Sequence, residues 1–470
     1  MSKTIRRIAL AAAFVVVLLL CIQTLGVLFQ DQSVCFFTYN APKKEQDKID
    51  VVTVGSSHAF CTVYPQYLYD EYGYSAWNMS SREVGIPNMY WGEREIVDTV
   101  EPDALLIELM MMTEDSRLSS YTRSTMVRDM SMFSPNHWRA FFDLNDGAVD
   151  WTAFFEFFFD QHQLGNVGRE SAQVLARDSR VSRRKGANYL QNHQAFSRDE
   201  LPVYADTDPD RDAVPQENLD YLQKTLDYAE EHGVDVLMFL APDPRPEMYA
   251  GKRAVVELVE EMGYPVLDFN EEALQEEIGF DVEQHMADGN HVNRDGALLI
   301  NQYLGDYMEE HFSLEDHRGQ EGYEAWAEEA EDYRIPGRLE RLKDTDSGAE
   351  YLALLDRLGD EYAVTALAEG SWNDALGPEL RSALEEFGME LPEDGSRFCF
   401  MKHAGESWTG TRRNARLDSI PILLDAEENL MDIGGDSISR DDDGITLSLL
   451  DLTRGKVLST VVLRGEKAYH

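Results

Sequence analysis

Between residues 49 and 312 the chain alternates short runs that are apolar at nearly every position with longer amphipathic stretches. A strand that is apolar throughout has both faces buried, and sheets buried on both faces are typically parallel and covered by helices. The pattern predicts strands at Val51–Val54, 75–79, 104–110, 234–240 and 265–269. Helices are expected at Pro65–Tyr72, Ile86–Val100, Gln216–His232, 246–262 and 294–310. Pro65 and Pro87 stand near helix starts, and Gly233 and Gly263 at helix ends, as helix geometry prefers. The expected fold class is therefore α/β, a three-layer sandwich around a parallel five-stranded sheet. In open sheets of this kind, ligands bind at the carboxyl ends of the strands.

Two segments about 230 residues apart fall at such ends. The first, Asp50-Val51-Val52-Thr53-Val54-Gly55-Ser56-Ser57-His58, is a strand that stops at glycine and two serines. The second, Asp288-Gly289-Asn290-His291, precedes the last helix of the alternating region. A serine hydroxyl needs an adjacent base to take its proton, and that base needs a third group to orient it. Ser57 is the candidate nucleophile, at the strand-to-helix turn that Gly55 permits. His291 is the candidate general base and Asp288 its orienter. Taken singly, each piece has a plainer reading. Paired serines after a strand commonly cap a helix, and Asp-Gly-Asn is turn chemistry in any protein. A calcium loop is excluded because Val292 stands where an oxygen ligand belongs. His58 receives no catalytic role. No metal site or organic cofactor is implied.

Lys3, Arg6 and Arg7 precede an uncharged run over residues 8–30. That run is long enough for a bilayer core of ~30 Å. Residues 1–30 are expected to form a cytoplasmic tip and transmembrane anchor, with a cleaved signal peptide as the rival reading. The basic flank puts the rest of the chain outside the cytoplasm. With 42 Lys and Arg against 87 Asp and Glu, the formal net charge is −45, so nucleic acid is excluded as a partner. Of four cysteines, Cys21 lies in the apolar run, and Cys35, Cys61 and Cys399 form no disulfide framework or metal spacing.

Residues 113–215 interrupt the alternation. They are rich in aromatics, among them Phe141, Phe142, Trp151, Phe154, Phe155, Phe157, Phe158 and Phe159. They read as a helical insertion with a small core of its own, or as a lid beside the site. Residues 313–345 read as a charged helical linker and 346–470 as a second, smaller α+β domain. That domain is expected to contain strands at 362–367, 398–402, 419–424, 445–450 and 457–462, and a turn at Thr453-Arg454-Gly455-Lys456.

Val-Gly-Ser-Ser-His resembles the first motif block of the SGNH (GDSL-like) hydrolases, in membrane-anchored variants where Gly-x-Ser replaces Gly-Asp-Ser. Asp288-x-x-His291, with Asn293 and Gly296-Ala297, resembles their last block. The resemblance covers about residues 48–312 and implies an SGNH/flavodoxin-like sheet with Ser57, Asp288 and His291 as the triad. It is nearest to envelope members of the D-alanyl-lipoteichoic acid and alginate acetylation type. By that resemblance the chain acts on acyl or acetyl esters of envelope glycans or polymers, as an esterase or O-acyltransferase. A multi-pass membrane O-acyltransferase would be its partner. The family adds an oxyanion donor from the loop after the second strand, which here reads Asn78-Met79-Ser80-Ser81-Arg82, with Ser81 as the expected contributor beside the Ser57 amide. It also adds an Asn after the third strand. Here Met110-Met111-Met112-Thr113-Glu114-Asp115 contains none. A non-catalytic envelope protein that binds glycan or a partner is the alternative, and a secreted interfacial lipase a third. The C-terminal part resembles an ILEI/PANDER-type domain, which implies an accessory binding role.

Overall fold

The computed structural model describes residues 3–29, 39, 49–114, 125–131, 133–144, 184–417, 420–438, 443–452 and 455–470. The chain divides into two compact units, Met1–Tyr333 and Arg334–His470.

Helix α1 (Lys3–Phe29) contains 27 residues. Its apolar side chains Ile8, Leu10 and Phe14 are exposed. Among the described residues, no helix is both long enough and apolar enough to cross a membrane. The expected transmembrane helix is thus found as a helix, and a membrane span is not found within the described residues.

Five strands form one parallel sheet in the order β2-β1-β3-β4-β5. They are β1 (Val51–Val54), β2 (Ala76–Asn78), β3 (Ala104–Glu108), β4 (Asp235–Leu240) and β5 (Val266–Asp268). All five lie where the apolar runs placed them, β1 over the same residues and the other four trimmed at their ends. Alternate residues face opposite sides of a strand, and here each set finds its own core. Val52, Val54, Leu105, Ile107, Met238 and Leu240 enter one cluster. Val51, Ala104, Leu106, Leu237 and Phe239 enter the other. On the first face pack α4 (Ile86–Val100), through Ile96 and Val97, and α5 (Gln216–His232), through Leu222 and Leu226. Helix α6 (Tyr249–Glu261) joins them through Ala254 and Val255. On the second face lie α2 (Ser57–Thr62), α3 (Pro65–Tyr72) and α7 (Arg294–His311), through Ala59, Leu68, Ala297, Ile300 and Leu304. This is the three-layer α/β sandwich that the alternation predicts.

Two expectations change. The described part of the 113–215 insertion has no core of its own, since Met126, Val127, Ala140 and Phe141 join the cluster of the first sheet face. Asp143 there accepts from Trp91 Nε1 at 2.9 Å and Tyr221 Oη at 2.7 Å. Trp151 and Phe154, Phe155, Phe157, Phe158 and Phe159 lie outside the described residues. The 313–345 segment is not a free linker either. Trp326 and Tyr323 enter the first unit's core, and His317 Nε2 sits 2.7 Å from the buried Asp50 carboxylate. Aromatic side chains spaced along an otherwise charged segment supply this packing.

In the second unit an antiparallel sheet runs in the order β15 (Lys467–Tyr469), β14 (Lys456–Arg464), β13 (Gly444–Asp451), β6 (Tyr362–Glu369), β7 (Cys399–His403), β8 (Glu406–Gly410). Beside it a four-stranded sheet runs β12 (Asp436–Ser437), β11 (Leu430–Ile433), β10 (Ile420–Asp425), β9 (Arg412–Leu417). The central strands β6 (Tyr362–Glu369) and β13 (Gly444–Asp451) are buried along nearly their whole length. Helices Gly348–Leu355 and Pro378–Glu386 cover one face through Leu352, Leu380 and Leu384. Ile420, Ile422, Leu424 and Met431 of the smaller sheet pack with Leu367 and Leu450 on the other. Thr453 and Arg454 of the expected turn lie outside the described residues.

Candidate active site

The turn after β1 uses its two serines differently. Gly55 has φ +152°, and a Cβ there would lie 2.6 Å from Glu108 Cβ. Only glycine lets the strand turn this close to its neighbour. Ser56 caps α2, its hydroxyl accepting from the His58 N–H at 3.2 Å. The same hydroxyl donates to Glu108 Oε2 at 2.8 Å. Glu108 ends β3 and also accepts from the Met110 N–H at 2.8 Å. Burial pushes its carboxyl up to about 7 against the pull of these donors. With Ser56 occupied by capping, Ser57 is left free to face the far segment.

Ser57 Oγ lies 2.8 Å from His291 Nε2. On the other side of that ring, Nδ1 is 3.0 and 3.1 Å from the two carboxylate oxygens of Asp288. The Asp288 carboxylate also accepts from the N–H groups of Asn290 at 3.0 Å and His291 at 2.9 Å. Burial pushes the Asp288 carboxyl up, but these donors and the adjacent imidazole outweigh it and hold the group below its ordinary value. Asn293 caps α7 by accepting from the Gly296 N–H, which fixes where the 288–291 loop begins its return. The three residues expected from sequence are therefore brought into one hydrogen-bonded chain across more than 230 positions. A hydroxyl, an imidazole and a carboxylate so joined can move a proton from oxygen to nitrogen while the ring stays in one tautomer.

Ser81 is a correction. Its N–H donates to the Gly55 carbonyl at 3.0 Å, so the amide holds the turn and is not free for an oxyanion. The neighbouring amides are engaged as well, Met79 with the Thr53 carbonyl and Ser80 with Asn78 Oδ1 at 3.1 Å. A loop packed this tightly against the first turn commits its donors to the fold.

Four residues without an assigned role in the sequence reading stand at the site. His58 is buried, its ring centroid 5.1 Å from that of His291. Burial pulls its imidazole down to about 3, so the ring is neutral at physiological pH. Asn290 Nδ2 lies 3.3 Å from His58 Nε2. Beyond β4, Asp243 is buried and receives Arg245 through two hydrogen bonds of 2.8 and 2.7 Å, with Lys252 Nζ at 3.0 Å. Burial pushes the Asp243 carboxyl up, but the two cations prevail and hold it at about 2. Glu108 is the fourth. A charged residue closing an apolar strand, and Asp-Pro-Arg just past another, were the signals available for Glu108 and Asp243. Asn290 and His58 sit inside the motifs already noticed.

No known family model matches this chain, and no curated protein matches it significantly.

Proposed function

We propose that this chain is a serine esterase or O-acyltransferase of the SGNH type, anchored by α1 and working outside the cytoplasm on acyl esters of envelope glycans or polymers. The observation that carries the reading is the Ser57–His291–Asp288 chain of hydrogen bonds at the carboxyl edge of a parallel sheet. In this reading Ser57 Oγ attacks the ester carbonyl, a C–O bond forms, and the carbonyl pair moves to oxygen. His291 Nε2 takes the serine proton while Asp288 stabilises the imidazolium. The oxyanion then collapses, the ester C–O bond breaks, and His291 returns the proton to the leaving alkoxide. Water or a polymer hydroxyl resolves the acyl-enzyme by the same steps in reverse. The partner that fits a transferase role is a multi-pass membrane O-acyltransferase delivering the acyl group. The anchor is supported by the uncharged run in α1 and by its exposed apolar side chains. Extracytoplasmic placement rests on Lys3, Arg6 and Arg7 before that run.

The second reading, a catalytically weak or inactive protein that binds glycan or a membrane partner, is favoured by one observation: the Ser81 amide is committed to Gly55. Fluorophosphonate modification separates the two. An activated Ser57 becomes covalently modified, and a binding-only protein leaves it intact.

A further inference from the structure

The oxyanion donors expected after β2 and β3 are missing or committed. No Asn follows β3, and the amides of Met79, Ser80, Ser81 and Met110 each bond within the protein. Resting on the serine-hydrolase reading, we propose that Asn290 supplies the side-chain donor of the oxyanion hole and that His58 is the positioning residue that orients it.

Asn290 lies immediately before the base in sequence, yet its side chain folds back to the residue immediately after the nucleophile. The Nδ2–His58 Nε2 distance of 3.3 Å spans 232 positions of sequence. His58 is itself fixed from two sides. Its N–H is held by the Ser56 hydroxyl at 3.2 Å, and its ring lies against that of His291. The amide of Asn290 is therefore tied to both halves of the catalytic dyad. A neutral imidazole has one donor and one acceptor nitrogen. If Nε2 is the acceptor, one N–H of the Asn290 amide bonds to it and the second remains free. If Nε2 carries the proton, the amide turns its oxygen to the ring and both N–H groups are free. Either way at least one N–H of the amide has no other hydrogen-bond partner among the described residues, and Asn290 is half-buried. The Ser57 N–H, which has no hydrogen-bond partner among the described residues, supplies the backbone donor that completes the pair. A fixed amide aimed at developing charge needs no reorganisation during the reaction, which is why one such donor has a large effect.

The histidine matters through its neutrality. A cation at His58 would have no acceptor nitrogen, and it would stand against His291 as that ring becomes positive. Burial keeps the imidazole uncharged against the opposing pull of the Asp243 carboxylate, and its Nδ1 has no hydrogen-bond partner among the described residues. His58 therefore holds the amide without competing for the serine proton.

Turnover of 4-nitrophenyl acetate by the full-length protein tests this. Asn290→Ala is expected to lower kcat by ~10²–10³-fold with KM changed little. Asn290→Asp, which keeps the shape but offers only acceptors, is expected to fall at least as far. A trifluoromethyl ketone that mimics the tetrahedral adduct should weaken by the same factor as kcat in each variant. Wild-type kcat in either variant overturns the Asn290 assignment alone, because modification of Ser57 by fluorophosphonate still stands. If the wild type neither turns over the ester nor is modified at Ser57, the serine-hydrolase reading falls and takes this one with it.

Discussion

Ser56 and Ser57 are chemically identical and do unlike work because of one residue's offset along a turn. Ser56 lies at the N-cap, where its oxygen accepts from the His58 N–H, and its proton goes to Glu108. Ser57 lies one position further, within the first turn of α2, and its hydroxyl meets His291. Removing the two hydroxyls should therefore have opposite signatures. Ser56→Ala loses a cap, ~1 kcal/mol, and leaves a buried oxygen of Glu108 without its hydroxyl donor, another ~1–3 kcal/mol. Denaturant unfolding is expected to show a loss of about 2 kcal/mol or more. Ser57→Ala should stay within ~0.5 kcal/mol of wild type, because its half-buried hydroxyl bonds only to the part-exposed His291 ring, which water can then reach. Equal stability for all three proteins would contradict this division of roles.

At the scale of elements, the sheet is bracketed by helices whose buried faces carry charged groups. Glu93 of α4 is wholly buried against α5, where Thr225 Oγ1 donates to it at 2.7 Å. Its other carboxylate oxygen has no partner among the described residues. Burial raises its carboxyl from the ordinary 4.5 to about 7, the threonine offsetting only part of that. Between those two values the native chain holds a proton that the unfolded chain has already released. Stability therefore falls as pH rises from about 4.5 to about 7, by up to ~3 kcal/mol for a shift of this size. Glu108 acts in the same direction. Glu93→Gln imitates the protonated form. Its Tm relative to wild type is expected to climb by several degrees between pH 5 and pH 8, and a constant offset across that range would count against the account. Most of this architecture was legible beforehand. Continuous apolar runs announced β1, β3 and β4, because burial on both faces leaves no polar position to confuse the reading. Proline and glycine marked the ends of several helices. The 113–215 and 313–345 segments misled for the converse reason. Their anchors, Phe141, Tyr323 and Trp326, are single aromatics spaced along polar chain, and periodicity cannot say which core such residues will join.

For the whole molecule, the two ends of the site come from opposite ends of one unit, and only the parallel order β2-β1-β3-β4-β5 brings them together. Ser57, Asp288 and His291 were legible because a serine just past an apolar strand, and an Asp and His three apart before a helix, leave a mark in sequence. The proposed oxyanion donors were not, since backbone amides leave no such mark and the Ser81 amide is bonded to Gly55. Beyond the site, α1 gives the chain its proposed location. Removing residues 1–30 is expected to shift the protein from the membrane fraction to the soluble fraction, and unchanged fractionation would remove the anchor from the proposal. The central claim is that Ser57 is an activated nucleophile, and reaction of the full-length protein with a fluorophosphonate, mapped by peptide mass, tests it most directly. The account predicts modification at Ser57, slowed by orders of magnitude in His291→Ala. An unmodified Ser57 in the wild type, or equal rates with and without His291, would contradict it.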